Sequence, residues 1–243
     1  MTDVENLSFP SMDNGLSTNT HSSNSNFEQH DTTTNHISEK HVEALIASLP
    51  LVRYLRSPTG KTQHTELRLH GSMHPRAQAV HLMGSSLHGP NKLIIDPHFF
   101  RKAQTGLTTC YIGSHLCGHP GFVHGGFLFS LFDDIFARCA ATAMESGIGM
   151  TAHMSIDYRS PPKTDRVYVA RSRVVKVEGR KVWVSGSMRC LEAFEMEAMQ
   201  ARPEAASDAV SVEEEEAALV AEATALFIEP KFAGSMVPLF QSS

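Results

Sequence analysis

The sequence predicts an α+β domain in which an antiparallel sheet wraps one long central helix, and two observations carry that prediction. Residues 121–143 read as a loop feeding a helix that is apolar nearly all round. Phe127, Leu128, Leu131, Phe132, Ile135 and Phe136 leave it little polar surface, so it must be buried. After Gly149, β-type runs follow one another at 151–158, 166–177, 182–191 and 217–228, with Gly179 and Arg180 supplying a hairpin turn. One buried helix followed by a meander of strands is the order of a sheet packed around a helix.

Upstream of that unit the pattern changes. Residues 1–38 are Asn, Ser, Thr, His and Asp with few aliphatic side chains, which cannot offset the conformational entropy of folding, so a disordered tail is expected. Residues 39–104 read as a helical and irregular extension. It has helical patterns at 41–49 and 51–55, the second after Pro50, and short β-type runs at 65–69 and 79–83 broken by Gly71, Pro75, Gly89, Pro90 and Pro97. The main domain is placed at 105–230, beginning with a strand at 107–112. Residues 192–216 end in four glutamates and form a solvated insertion, and 231–243 form a C-terminal tail.

Composition narrows the function. The 243 residues carry a net charge of -5, which lacks the clustered basic face that nucleic-acid phosphates require. No nucleic-acid partner is expected. The most apolar stretch, 121–143, contains Asp133, Asp134 and Arg138, so no membrane span is expected either. Four cysteines without C-x-x-C spacing suit a reduced compartment, residues 1–39 lack Lys and Arg, and the last residues are not a peroxisomal address. A cytoplasmic protein is the default expectation.

The chemistry concentrates between Cys117 and Cys139. Gly125 and Gly126 let a ligand approach the backbone closely where a helix begins, and there unpaired N–H groups and the positive dipole end can receive a developing oxyanion. Steps of four, three and four residues from Gly126 reach Ser130, Asp133 and Ala137, a stripe of small or polar residues on an otherwise bulky helix. Asp134 lies about 100° away and precedes Arg138 by four, a spacing for an ion pair. Asp133 is therefore assigned to chemistry and Asp134 to structure. A carboxylate so placed can serve as general base toward water or attack a carbonyl itself, and the sequence leaves both open.

His124-Gly125-Gly126 with Asp133 nine residues after the histidine, followed by Met150-Thr-Ala-His-Met-Ser-Ile-Asp-Tyr-Arg-Ser-Pro161, resembles the PaaI-like hotdog thioesterases, including their mammalian and fungal acyl-CoA branch. The resemblance covers roughly residues 105–230. It implies a hotdog fold and hydrolysis of an acyl-CoA or related acyl or polyketide thioester, in general acyl-CoA turnover or in secondary metabolism. By position it implies Asp133 as the catalytic carboxylate, Gly125 as the N–H donor to the thioester carbonyl, His124 as a residue shaping that loop, and Thr151 as an aid in orienting the attacking water. It also implies a homodimer or homotetramer with each site shared between chains, and no cofactor. The insertion at 192–216 and the extension before 105 depart from the family pattern.

Gly126 and Ser130 line the expected substrate surface, and Arg180 and Lys181 at the hairpin are the favoured contacts for CoA phosphates, ahead of Arg159 and Arg173. His115, Cys117, His119 and His124 carry metal-binding side chains within ten residues, but Pro120 and two glycines intervene and no second ligand pair is near, so no metal is expected. The His-Gly-Gly triplet of a serine esterase would need a G-x-S-x-G elbow, which the sequence lacks. The main rival is a catalytically idle hotdog module that binds an acyl chain or scaffolds a partner. A hotdog hydratase would need an Asp and His on one short loop, a pattern not found here.

Overall fold

Three short helices open the described part of the chain: α1 (Glu39–Ser48), α2 (Pro50–Arg56) and α3 (Pro58–Gln63). Each start has a local cause. Ser38 caps α1 by accepting the His41 N–H, Ser57 caps α3 by accepting that of Gly60, and Pro50 and Pro58 sit where a missing N–H breaks no helical bond. The computed structural model describes residues 37–71, 73–191, 207–209, 214–215 and 217–236. Apart from the residues just given, the expected N-terminal tail and the insertion at 192–216 lie outside the described residues.

The chain continues through β1 (Thr65–Arg68), α4 (Pro75–Gln78), β2 (His98–Lys102), β3 (Thr105–Ile112), β4 (Cys117–His119), β5 (Phe122–Val123), α5 (Gly125–Ala141), β6 (Met150–Tyr158), β7 (Arg166–Glu178), β8 (Lys181–Leu191) and β9 (Ala218–Ile228). β4 and β5 form a small hairpin ahead of α5. The other seven make one sheet in the order β1-β2-β3-β7-β8-β9-β6, every neighbouring pair antiparallel. β8 and β9 pair from Lys181↔Ile228 to Cys190↔Ala218 although the expected insertion separates them in sequence.

α5 lies on one face of this sheet, packed against β3, β6, β7, β8 and β9, and its bulky side is fully buried. Phe132 and Phe136 meet edge to face with centroids 5.3 Å apart, and the core closes over them with Val182, Val184, Met188 and Phe227. This is the hotdog arrangement that the sequence predicts. The described residues cover the opposite face over half its width. Val42, Ile46, Val52 and Leu55 of α1 and α2 pack on Phe100, Leu107, Tyr111, Val167 and Val169. β3 is consequently buried on both faces from Gly106 to Ile112. Over β8, β9 and β6 the same face presents the polar row Ser185, Thr224 and Ser155.

Two features of the extension differ from the sequence reading. The run at 79–83, expected as a strand, is instead a turn after α4 that leads at Leu82 into a π-helical turn, Leu82–Ser86. Pro75 starts one helical turn, and the His74 and His81 side chains cap the two in succession by accepting the N–H groups of Arg76 and Gly84. Local hydrogen bonds thus override the apolar alternation, and Val80 and Leu82 remain exposed. The strand β2, hidden in the sequence behind Pro97, joins β1 to β3, so the sheet recruits strands from before residue 105. Buried His98 on β2 ties the layers together through Glu43 of α1 and Glu66 of β1.

Candidate active site

α5 begins where it does because His124 caps it. The His124 Nδ1 accepts the Gly126 N–H at 2.9 Å, and its extended backbone breaks the helical path upstream. The N–H groups of Phe127 and Leu128 return to the His124 carbonyl, whereas that of Gly125 finds no acceptor among the described residues. Of the first helical donors, Gly125 is therefore the one left for a ligand, at the positive end of the helix dipole. Tyr158, the last residue of β6, lies over it. Its hydroxyl donates to the Gly125 carbonyl at 2.7 Å, and a Cβ at position 125 would stand 3.2 Å from that hydroxyl. A side chain at 125 would press on Tyr158.

Two turns along α5 stands Asp133, half-buried. Thr151 Oγ1 donates to its Oδ1 at 2.6 Å, so the second carboxylate oxygen is the one available for chemistry. Thr151 faces the helix because it shares a row with Phe227 and Val182, both fully buried on the inner face. A bulge between Thr151 and His153 then resets the alternation, and Met154, Ile156 and Tyr158 follow on the inner face. Burial pushes the Asp133 carboxyl above the usual range, the Thr151 hydrogen bond works against that rise, and the charge of Asp134 adds to it.

Ser130 also lies on this face, its hydroxyl donating to the Gly126 carbonyl at 3.0 Å. Exposed apolar side chains flank the stripe: Phe122 just before α5, Phe129 on it, and Tyr158 at the end of β6, which is an edge strand among the described residues.

Asp134 has a different setting. Its Oδ2 lies 2.8 Å from Nε2 of His70, whose Nδ1 lies 2.7 Å from Asp96 Oδ1. Arg138, expected as its helical partner, donates to the Arg68 carbonyl at 3.2 Å. Burial works against a charge on His70, but hydrogen bonds to Asp134 and Asp96 and their attraction prevail and raise it to about 9.

Residues 120–192 match the family model of the thioesterase superfamily. That segment, from β5 through β8, is what the chain shares with the superfamily. The chain is 41% identical over 88 residues to acyl-coenzyme A thioesterase THEM4 of Rattus norvegicus, covering 36% of this chain and 37% of that protein. It is 30% identical over 107 residues to an uncharacterized Schizosaccharomyces pombe protein, covering 43% and 61%. The chain thus spans less than two thirds of these relatives. Among solved structures, smu.793 from Streptococcus mutans bound to acetyl CoA is 16% identical with a TM-score of 0.42, covering 56% of this chain and 90% of that one.

Within the matched segment, the structure brings Asp133 and Thr151 into contact and places Gly125, Gly126, Ser130 and His124 on the N-terminal half of the same helix or at its cap. It places Arg180 and Lys181 elsewhere. Arg180 donates to the Glu229 carbonyl at 2.7 Å, and Lys181 shares a row with Ile228 and Met150, one step from the Thr151 row and so on the opposite face.

The domain also uses residues that the sequence reading missed. Tyr158 lies within the family-like motif, yet only the strand register shows that it reaches Gly125. His70 and Asp96 lie 64 and 38 positions before Asp134, with no local signal. His70, His81 and Asp134 each place one donor atom within 4.8 Å of the others, the only such group of three among the described residues. His81 Nδ1 already accepts the Gly84 N–H and both His70 nitrogens face carboxylates, so a hydrogen-bonded cluster accounts for the set.

Proposed function

We propose that this chain hydrolyses an acyl-CoA or a closely related thioester to the free acid and thiol, with Asp133 as the catalytic carboxylate. The observation that carries the reading is the half-buried Asp133, fixed through one oxygen by Thr151 on the same ligand-accessible stripe that starts at the unused Gly125 N–H. As general base, the free oxygen of Asp133 takes a proton from water while the water oxygen bonds to the thioester carbon. The carbonyl oxygen, now negative, accepts the Gly125 N–H, and the tetrahedral adduct collapses by breaking its C–S bond, releasing the thiolate. Direct attack by the carboxylate would use the same oxygen and pass through an anhydride that water opens. The name of the rat relative, an acyl-coenzyme A thioesterase, supports the substrate class.

Helix geometry argues for a site shared by two copies. Gly125 and Asp133 are eight residues apart on one straight helix, which separates their Cα atoms by about 12 Å along the axis. That span exceeds the reach of one thioester carbonyl and its attacking water, so Asp133 of one copy works with Gly125 of another. The exposed Phe122, Phe129 and Tyr158, and the edge of β6 that no described residue pairs, flank the stripe and suit burial in a homodimer.

The test is a thiol-trapping assay of the purified chain over acyl-CoA substrates of increasing length. Release of free thiol with a length optimum is expected. Tight acyl-CoA binding with no thiol released at any length would replace the enzyme with an acyl-binding module.

A further inference from the structure

We propose that His70 is a positioning residue for the reaction at Asp133: a protonated imidazole that bridges Asp96 and Asp134 and neutralises the charge standing next to the catalytic carboxylate. The inference rests on the thioesterase reading of Asp133.

Donor counting carries the argument. The His70 side chain is 2% exposed, so water cannot supply its missing partners. Each ring nitrogen faces a carboxylate oxygen, at 2.7 Å on Asp96 and 2.8 Å on Asp134, and an ionised carboxylate can only accept. A neutral imidazole has one N–H and would leave one of these contacts as a buried repulsion between lone pairs. Both are satisfied only when both nitrogens carry protons. Asp96 is held in register by the His70 backbone N–H, which it accepts at 3.0 and 3.1 Å. The upward displacement of His70 agrees with this count.

The groups facing the bridge leave it balanced. His81, with ring centroids 5.3 Å away, is pushed by burial toward its neutral form. Arg138 on α5 feels both Asp96 and Asp134 and is opposed by the charge of Arg101, while Arg68 is engaged with Glu43 and His98. Two carboxylates are thus matched by His70 and Arg138. Asp133 itself faces Thr151 and the charge of Asp134, which pushes its carboxyl upward. Deleting the His70 proton leaves Asp134 uncompensated beside Asp133. The bridge also gives the extension a role: His70 follows β1 and Asp96 precedes β2, yet both converge on the helix that carries the chemistry.

Two measurements on the full chain test this. In the pH profile of kcat/KM, His70→Gln should move the acid limb upward by about half a unit, the size of one partly screened charge nearby. His70→Gln combined with Asp134→Asn should bring it back. An unmoved limb in the single variant, or one that stays displaced in the double variant, overturns the proposal. Independently of activity, imidazole 15N spectra of the unmodified chain should show His70 protonated on both nitrogens from pH 6 to 8, assigned by its loss in His70→Gln or its displacement in Asp134→Asn. A neutral ring in that range overturns the proposal even where His70→Gln fails to fold. So does one equivalent of Zn2+ that binds tightly and displaces the Nε2 proton. Absence of any thioesterase activity would instead sink the underlying functional reading, while the 15N result would still stand or fall alone.

Discussion

Asp133 and Asp134 are consecutive residues on one helix, and their surroundings could hardly differ more. Asp133 looks along a stripe of small residues toward an exposed apolar rim and, among the described residues, touches one hydroxyl through one of its two oxygens. Asp134, turned about 100° away, is clamped by a buried imidazole that a second carboxylate holds from behind. One flank of α5 holds its carboxylate by an exposed hydroxyl on the stripe, as the proposed reaction needs, and the other holds its carboxylate against a buried imidazole. Their adjacency also lets the structural acid set the field felt by the chemical one.

Perturbations should separate the two flanks by kind as well as by size. The largest effect belongs to Asp133→Asn, expected to lower kcat/KM on an acyl-CoA by about 10²- to 10⁴-fold, the range for a positioned general base, with the melting temperature held. On the other flank, His70→Ala leaves two carboxylates without their bridge and should reduce unfolding free energy by about 3 kcal/mol in urea titration. Its pH dependence has a definite sign. The folded-state value is raised from 6.5 to about 9, so the stabilisation is complete below about 6.5 and is lost as pH rises through about 9. The native chain should lose stability over that window, and the variant should not show that loss.

Smaller effects sharpen the Asp133 flank. Thr151→Val removes the hydrogen bond that holds the Asp133 carboxyl down, so the acid limb of the pH profile should rise and neutral-pH turnover should fall about fivefold, roughly 1 kcal/mol. Tyr158→Phe deletes only the contact to the Gly125 carbonyl and should cost less than that, seen as a modest rise in KM. A Thr151→Val variant that lost stability without a change in its pH profile would place Thr151 with the structural flank instead.

Much of this was legible along the chain because it is written in local periodicity. The buried side of α5 and the strands after Gly149 repeat at helical and strand spacing, and the glycine-to-aspartate stripe separates two adjacent acids by angle alone. The missed features come from contacts between distant segments. Nothing near His70 or Asp96 announces Asp134, because a bridge spanning 64 residues exists only after β1 and β2 join the sheet. The run at 79–83 misleads for the opposite reason: its apolar alternation is real, but histidine caps a few residues away decide the backbone. Tyr158 is visible as a residue of the motif, yet its role depends on a one-residue bulge in β6.

The most direct test of the central claim sets Asp133→Asn beside Asp134→Asn and measures free-thiol release from an acyl-CoA and thermal unfolding on the same preparations. Asp133→Asn should lose turnover and keep stability, while Asp134→Asn should lose stability and retain turnover with its acid limb moved downward. Wild-type thiol release by Asp133→Asn, or loss of turnover confined to Asp134→Asn in a stably folded protein, would contradict that claim.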